Sequence, residues 1–314
     1  MPRKAGRKGQ GPVRSADEPS AGVNGYADRS DSESGSESDT NGSPSYENAV
    51  NLPAHQTKHL AELTYRFPSI DASFKIVQRN DTNSTGSSLW LSSQVLSSYL
   101  IHTYAKAQQS NARTTRRRML ELGSGTGLLS LLMASLGWQV TATDIPPVLD
   151  SVLRPNVQAG LYRLVNAGTI VPEQLHIAEL DWMVPGERWL WHPQFGFPST
   201  EEHTDSSDTS IPAEPHFDLI LTADTIYEPS LIRPLLSTIA HLYMRQDGSR
   251  PTVLLALERR DPAHITEALR IAHQEYSLNF KQVPVKRVRK IFDTFGDGAT
   301  WSRKDWDGVE IWKL

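Results

Sequence analysis

Residues Met119–Ser130 read MLELGSGTGLLS, a short apolar run that passes through Glu121 into three alternating glycines before apolar residues resume. A strand-length apolar run, a glycine-dense turn and a helix-forming segment make one strand–loop–helix unit. That unit is the building block of α/β sheets, whose ligands sit beyond the carboxyl ends of the strands. The glycine spacing narrows the ligand. In a dinucleotide fingerprint, G-x-G-x-x-G, the third glycine would fall where this chain has Leu128, and no Gly-Lys-Ser/Thr follows to make a phosphate loop.

Glu121 at the start of the loop would repel a phosphate and face a cation favourably. S-adenosylmethionine, positive at its amino and sulfonium groups, fits that requirement, which makes Glu121, Gly123, Ser124, Gly125 and Gly127 candidate cofactor residues. A second carboxylate, Asp144, closes the next apolar run, QVTATD, 17 residues after Gly127. That is where an open α/β sheet meets the ribose of a nucleoside-bearing cofactor.

Strand and helix patterns alternate along the rest of the chain. Leu89–Tyr104 reads as an amphipathic helix, Met119–Leu122 as a strand, Leu128–Leu136 as a helix, Gln139–Thr143 as a strand and Pro146–Ala159 as a proline-started helix. Strands at Leu175–Glu179, Phe217–Ala223 and Thr252–Leu257 follow, with helices at Ser230–Met244 and Pro262–Glu275. The expected fold is α/β: a Rossmann-like, doubly wound, seven-stranded sheet, mostly parallel. Two closing β segments, Leu278–Val288 and Val309–Leu314, show no helical pattern between them and predict an antiparallel C-terminal hairpin.

Composition divides the chain unevenly. Residues 1–46 hold only nine apolar side chains, too few to offset the entropy of ordering them. The expected organisation is a disordered, serine-rich acidic tail over 1–48 and one catalytic domain over 49–314. A disordered acidic insertion, PSTEEHTDSSDTSIPAEP, interrupts that domain at 198–215. With 32 basic and 36 acidic residues, net charge −4 weighs against a phosphate backbone as the main partner, and no direct nucleic-acid binding is expected. Zero cysteines exclude disulfides, thiol nucleophiles and thiolate zinc sites. His55 and His59 have metal-ligand spacing without a third ligand, so no metal is expected. The basic groups Arg116–Arg118 and Lys281, Lys286, Arg287, Arg289, Lys290 read as solvated ends of elements. No apolar stretch suggests a membrane span or secretory leader, and a monomer in the cytosol or nucleus is expected.

Four segments carry a resemblance: Gly86-Ser-Ser-Leu-Trp90, ELGSGTG at 121–127, Leu180-Asp181-Trp182 and Ala223-Asp224-Thr225-Ile226-Tyr227. Together they resemble the seven-β-strand S-adenosylmethionine-dependent methyltransferases, and within them methyltransferase family 16, the protein-lysine-methyltransferase-like group. The resemblance runs from about Gly86 to Leu314, and Leu257-Glu258-Arg259-Arg260 with Asp307–Leu314 is similar to the methyltransferase-like 22 branch. The Asp-x-x-Tyr at 224–227 looks like the signature of protein lysine methyltransferases. Enzymes that methylate bases or glutamine carry Asn/Asp-Pro-Pro-Tyr/Phe there, and the prolines of Asp144-Ile-Pro-Pro-Val148 follow a different strand and lack the aromatic.

The resemblance implies that Trp90, the glycine loop, Asp144, Trp182 and Ala223 line the cofactor, with Trp182 against the adenine and Asp181 near its amino group. Asp224 and Tyr227, just beyond a strand's carboxyl end, are the candidate catalytic pair: Asp224 to hold an incoming ammonium, Tyr227 to shape its channel. Purely structural roles are the alternative, with Asp224 capping the following helix and the aromatics packing. The implied substrate is a lysine of a protein such as a translation factor, a chaperone or a nucleic-acid-associated protein. Rival functions are methyl transfer to a protein histidine or a small molecule, and non-catalytic cofactor binding in an interaction protein.

Overall fold

A computed structural model describes residues 51–79, 85–108, 116–191, 198–199, 215–244, 248, 250–295 and 301–314. Residues Pro44–Leu314 form one compact unit. The expected tail at 1–48, and residues 200–214 of the expected insertion, lie outside the described residues. The insertion's first two residues are not loop: Pro198–Ser199 pairs antiparallel with Leu190–Trp191.

A seven-stranded sheet organises the unit. Its strands are β3 (Arg118–Leu122), β4 (Gln139–Asp144), β5 (Leu175–Glu179), β6 (Leu219–Ala223), β7 (Thr252–Glu258), β8 (Lys281–Gln282) and β9 (Val309–Lys313), following a separate antiparallel hairpin of β1 (Glu62–Phe67) and β2 (Ala72–Val77). The order across the sheet is β8-β9-β7-β6-β3-β4-β5, parallel except for β9, which runs antiparallel between β7 and β8. The fold class is therefore the expected one.

The central strands are apolar on both sides because helices cover both faces. Successive side chains alternate between two cores: Met119, Leu219, Leu221, Leu254 and Ala256 on one face, Leu120, Ile220, Val253, Leu255 and Leu257 on the other. The first face is covered by α1 (Leu91–Gln108), α2 (Leu128–Ser135), α3 (Arg154–Asn166) and α6 (Val285–Phe295), the second by α4 (Pro229–Tyr243) and α5 (Pro262–Tyr276). From β3 the chain steps outward to β4 and β5, then crosses back to β6 on β3's other side. That reversal creates a switch-point crevice at the carboxyl ends of β3 and β6.

Two expectations need correction. The proline-started helix at 146 runs on to Asn166 and is not uniform: Pro146–Val148 is α-helical, Leu149–Leu153 is a π segment, and α3 follows. Pro155 explains the break, since it has no N–H for the carbonyl of Ser151 and its ring crowds that carbonyl. The closing β segments are also not a bare hairpin, because α6 lies between them. Val288, Ile291 and Phe292 recur at helical spacing and are buried, so the period of the stretch is that of a helix although its first half is rich in valine. Among the described residues no helix is long and apolar enough to cross a membrane.

Candidate active site

The loop after β3 folds back on its neighbours through a lattice of short hydrogen bonds. Ser124 N donates to Thr143 O at 2.9 Å, Thr143 N to Ser124 Oγ at 3.0 Å, and Gly125 N to Asp144 Oδ2 at 2.8 Å. The glycines are needed for the protein's own packing. Gly123 (φ +68°) and Gly125 (φ +53°) hold left-handed backbone. A Cβ at 123 would stand 2.8 Å from Thr225 Cγ2, and one at 125 would stand 3.0 Å from Gly86 O. Gly127 is the N-cap of α2.

These contacts border a cleft at the switch point, walled by the glycine loop, the end of β4 and the residues that follow β6. Of the expected cofactor residues, Trp90, Gly123, Ser124, Gly125, Asp144, Trp182 and Ala223 line it, as do Asp224 and Tyr227. Asp144 accepts from Gly125 N and, at 2.9 Å, from Ile145 N. Burial pushes its carboxyl up to about 6. Each of its oxygens keeps a lone pair for a hydroxyl of a ligand. Trp90 anchors its ring by donating from Nε1 to Thr85 O at 2.8 Å.

Three expected residues lie away from these walls. Glu121 does not face a ligand: it is 2% exposed beneath the loop and takes a hydrogen bond from Ser130 Oγ of α2. Burial raises its carboxyl to about 8, so at neutral pH it is mostly an uncharged acid and not the anion that the expectation required. Strand parity accounts for this, because Glu121 shares its face of β3 with Met119 and points into the helix layer. Asp181 accepts from Met183 N at 2.8 Å in a local turn outside the cleft lining. Gly127 shapes the start of α2 behind the cleft.

Asp224 is braced. Its backbone is left-handed (φ 54°), Oδ1 accepts from Glu258 N at 3.0 Å, and Oδ2 accepts from Ser92 N at 3.2 Å. It therefore satisfies the first turn of α1, 132 residues earlier in the chain. The expected structural alternative, capping of the following helix, is filled by Glu228, which accepts from Ser230 N at 3.3 Å. Arg260 stands 4.0 Å from Asp224 and also pairs with Glu258. Burial raises the Asp224 carboxyl above its ordinary range. Tyr227 is 47% exposed at the cleft wall, available to a visiting molecule.

Sequence reasoning missed Lys58 and Arg260, whose cations stand 3.6 Å and 4.5 Å from the Trp90 ring centroid. It also missed Ile145 and Val148 on the apolar side of the cleft. The second pair was readable from position, since both follow Asp144 at the strand's end. The first depends on distant chain and left no local signal. Among the described residues no group of three His, Asp or Glu side chains could hold a metal; His55 faces Asp305 at 3.6 Å.

Residues 70–190 match the family described as lysine methyltransferase. Over 161 residues the chain is 32% identical to the Bos taurus protein-lysine methyltransferase METTL21E, covering 51% of this chain and 44% of that protein. It is 31% identical over 158 residues to the Danio rerio protein N-lysine methyltransferase METTL21A, covering 48% of this chain and 55% of that one. To the Mus musculus methyltransferase-like protein 22 it is 29% identical over 143 residues, covering 45% and 33%. The chain spans about half the length of the curated relatives it matches.

Proposed function

We propose that this chain is an S-adenosylmethionine-dependent methyltransferase acting on a lysine side chain of a protein. One observation carries the reading. A single cleft at the switch point is walled on one side by the glycine loop and Asp144 and on the other by Asp224 and Tyr227, in a chain with named protein-lysine methyltransferases among its relatives.

The residues fit the cofactor. Asp144 would take the ribose hydroxyls, as its free lone pairs allow, and Trp182 with Ile145 and Val148 would enclose the base. When bound, S-adenosylmethionine supplies a methyl group on a positively charged sulfur. The chain must position the acceptor and dispose of its proton. A free lysine amine has a pKa of about 10.4 and is protonated at neutral pH. The cationic Arg260 beside the cleft disfavours a second positive charge and so favours its neutral form. Asp224, fixed by two backbone N–H groups, presents a carboxyl that burial makes more basic, a strong acceptor for an ammonium N–H. Water then removes the proton.

The proposal extends to a substrate that is a translation factor, a chaperone or a nucleic-acid-associated protein, met by a monomer in the cytosol or nucleus. Asp224→Ala tests the acceptor role, with cofactor affinity read by calorimetry and transfer read on a methyl-poor lysate. Affinity is expected to hold while transfer falls about 100-fold. Because Asp224 also braces α1, Tyr227→Ala, at an exposed position, is run beside it and should lower transfer in a fully folded chain. Unchanged transfer in both would remove the acceptor role, and lost affinity would reassign Asp224 to the cofactor. Methylated histidine in the lysate would replace lysine as the acceptor.

A further inference from the structure

We propose that Lys58 is a methyl acceptor of this same chain, presented in cis at the cleft on the indole of Trp90; the inference rests on the S-adenosylmethionine reading above. Lys58 Nζ lies 3.6 Å from the centroid of the Trp90 ring, and Trp90 walls the cleft together with Asp224 and Tyr227. The amine thus rests on a ring that forms part of the cleft wall and lies within electrostatic reach of Asp224, the residue assigned to an incoming ammonium.

The backbone that carries it is tied down. Lys58 follows a one-turn helix, Ala54–Thr57. Ala54 N donates to Gln94 Oε1 at 2.8 Å, and Gln94 Nε2 donates to Leu52 O at 2.9 Å. Gln78 Nε2 donates to Thr57 O at 2.9 Å and to Leu60 O at 3.0 Å, and Trp301 Nε1 to Asn51 O at 2.7 Å. A lysine on such a segment reaches the indole without the ordering cost that a lysine from solution meets.

The electrostatics suit an acceptor. Burial, then the neighbouring Arg260, lowers the Lys58 ammonium below the ordinary lysine range, against smaller opposing effects of Glu258 and Asp224. In the step itself, the Lys58 ammonium gives a proton to water. The Nζ lone pair forms a bond to the methyl carbon as the carbon–sulfur bond breaks, and that electron pair stays on sulfur as the neutral thioether S-adenosylhomocysteine. The product is a methylammonium, which carries the positive charge the sulfonium gave up and so retains its attraction to the indole.

The test uses the full chain, methyl-tritiated S-adenosylmethionine and a methyl-poor lysate, with modified residues mapped by mass spectrometry. Expected is one added methyl on Lys58, formed at a rate per molecule that does not change with protein concentration. Lys58→Arg should lose the label on the chain while lysate proteins are still labelled. A readout without cofactor accompanies it: in a brief acetic anhydride pulse, Lys58 should be acetylated ahead of Lys75, which is paired with Glu62 at 2.7 Å. Labelled lysate proteins with an unmodified Lys58 would overturn the inference and leave the functional reading standing, as would undiminished chain label in Lys58→Arg. No label on chain or lysate would remove both.

Discussion

Glu121 shows how far one side chain's role can differ from its place in a motif. It stands at the start of the glycine loop, yet the strand's two-residue period turns it under the loop, where Ser130 and Ser124 meet its carboxyl. Its folded pKa of about 8 lies above the ordinary 4.5. The folded chain therefore holds a proton that the unfolded chain releases, and stability present at low pH is lost as pH rises through that window. Asp144, raised to about 6, acts in the same sense over a lower range. Glu121→Gln keeps an acceptor for Ser130 and cannot ionise. Between about pH 6.5 and about 8 the stability difference between variant and wild type should grow in the variant's favour, by up to about 1.4 kcal/mol per pH unit. Urea midpoints at the two ends of that range measure it; parallel curves would contradict the assignment. The glycines and Asp144 were legible because their geometry is set within one strand and its loop. Asp224 was legible as a cleft residue, but its bracing role depends on Ser92 and Glu258, which no local pattern connects to it.

Elements were legible where the period was clean and the run was bounded. The strand at Leu175–Glu179 has the expected limits. The hairpin of β1 and β2 escaped notice, although β1 alternates buried Leu63, Tyr65 and Phe67 with more accessible residues in the two-residue period of a half-buried strand. It is joined to the rest of the fold by Asn156 of α3, which accepts from Val77 N at 2.8 Å and donates to Val77 O at 3.0 Å. The opposite error occurred at α6, where valines near the start of the segment suggest a strand and only the continuation to Ile291 and Phe292 reveals the helix. Phe292 is fully buried and packs on Trp301 and Trp306, each with ring centroids at 5.2 Å. Phe292→Ala should cost about 3–5 kcal/mol, measured by urea unfolding. A loss under about 1 kcal/mol would mean that α6 is peripheral to the core.

At the scale of the whole unit, the parallel half of the sheet was the most legible part, because each strand–helix pair is local and its handed return is nearly obligatory. The closing segment at 309–314 and its antiparallel sense were legible too, but its pairing with β7, from Val309↔Glu258 to Lys313↔Leu254 after two intervening helices, was not. Ending the chain at Gly308 should remove the cooperative unfolding transition and leave soluble aggregates, read by tryptophan fluorescence on heating and by size-exclusion chromatography. A monomer that melts as the wild type does would show that the sheet closes without β9. The same arrangement gives the molecule a timetable. Once β6 and β7 are paired, β7 still offers an open row of backbone donors and acceptors, and its partner arrives only after α5 and α6 have been made. The interval before residues 309–313 close that edge is when a half-folded copy is most able to pair with another, so the hazard to this protein in the cell is concentrated in one late step of its folding.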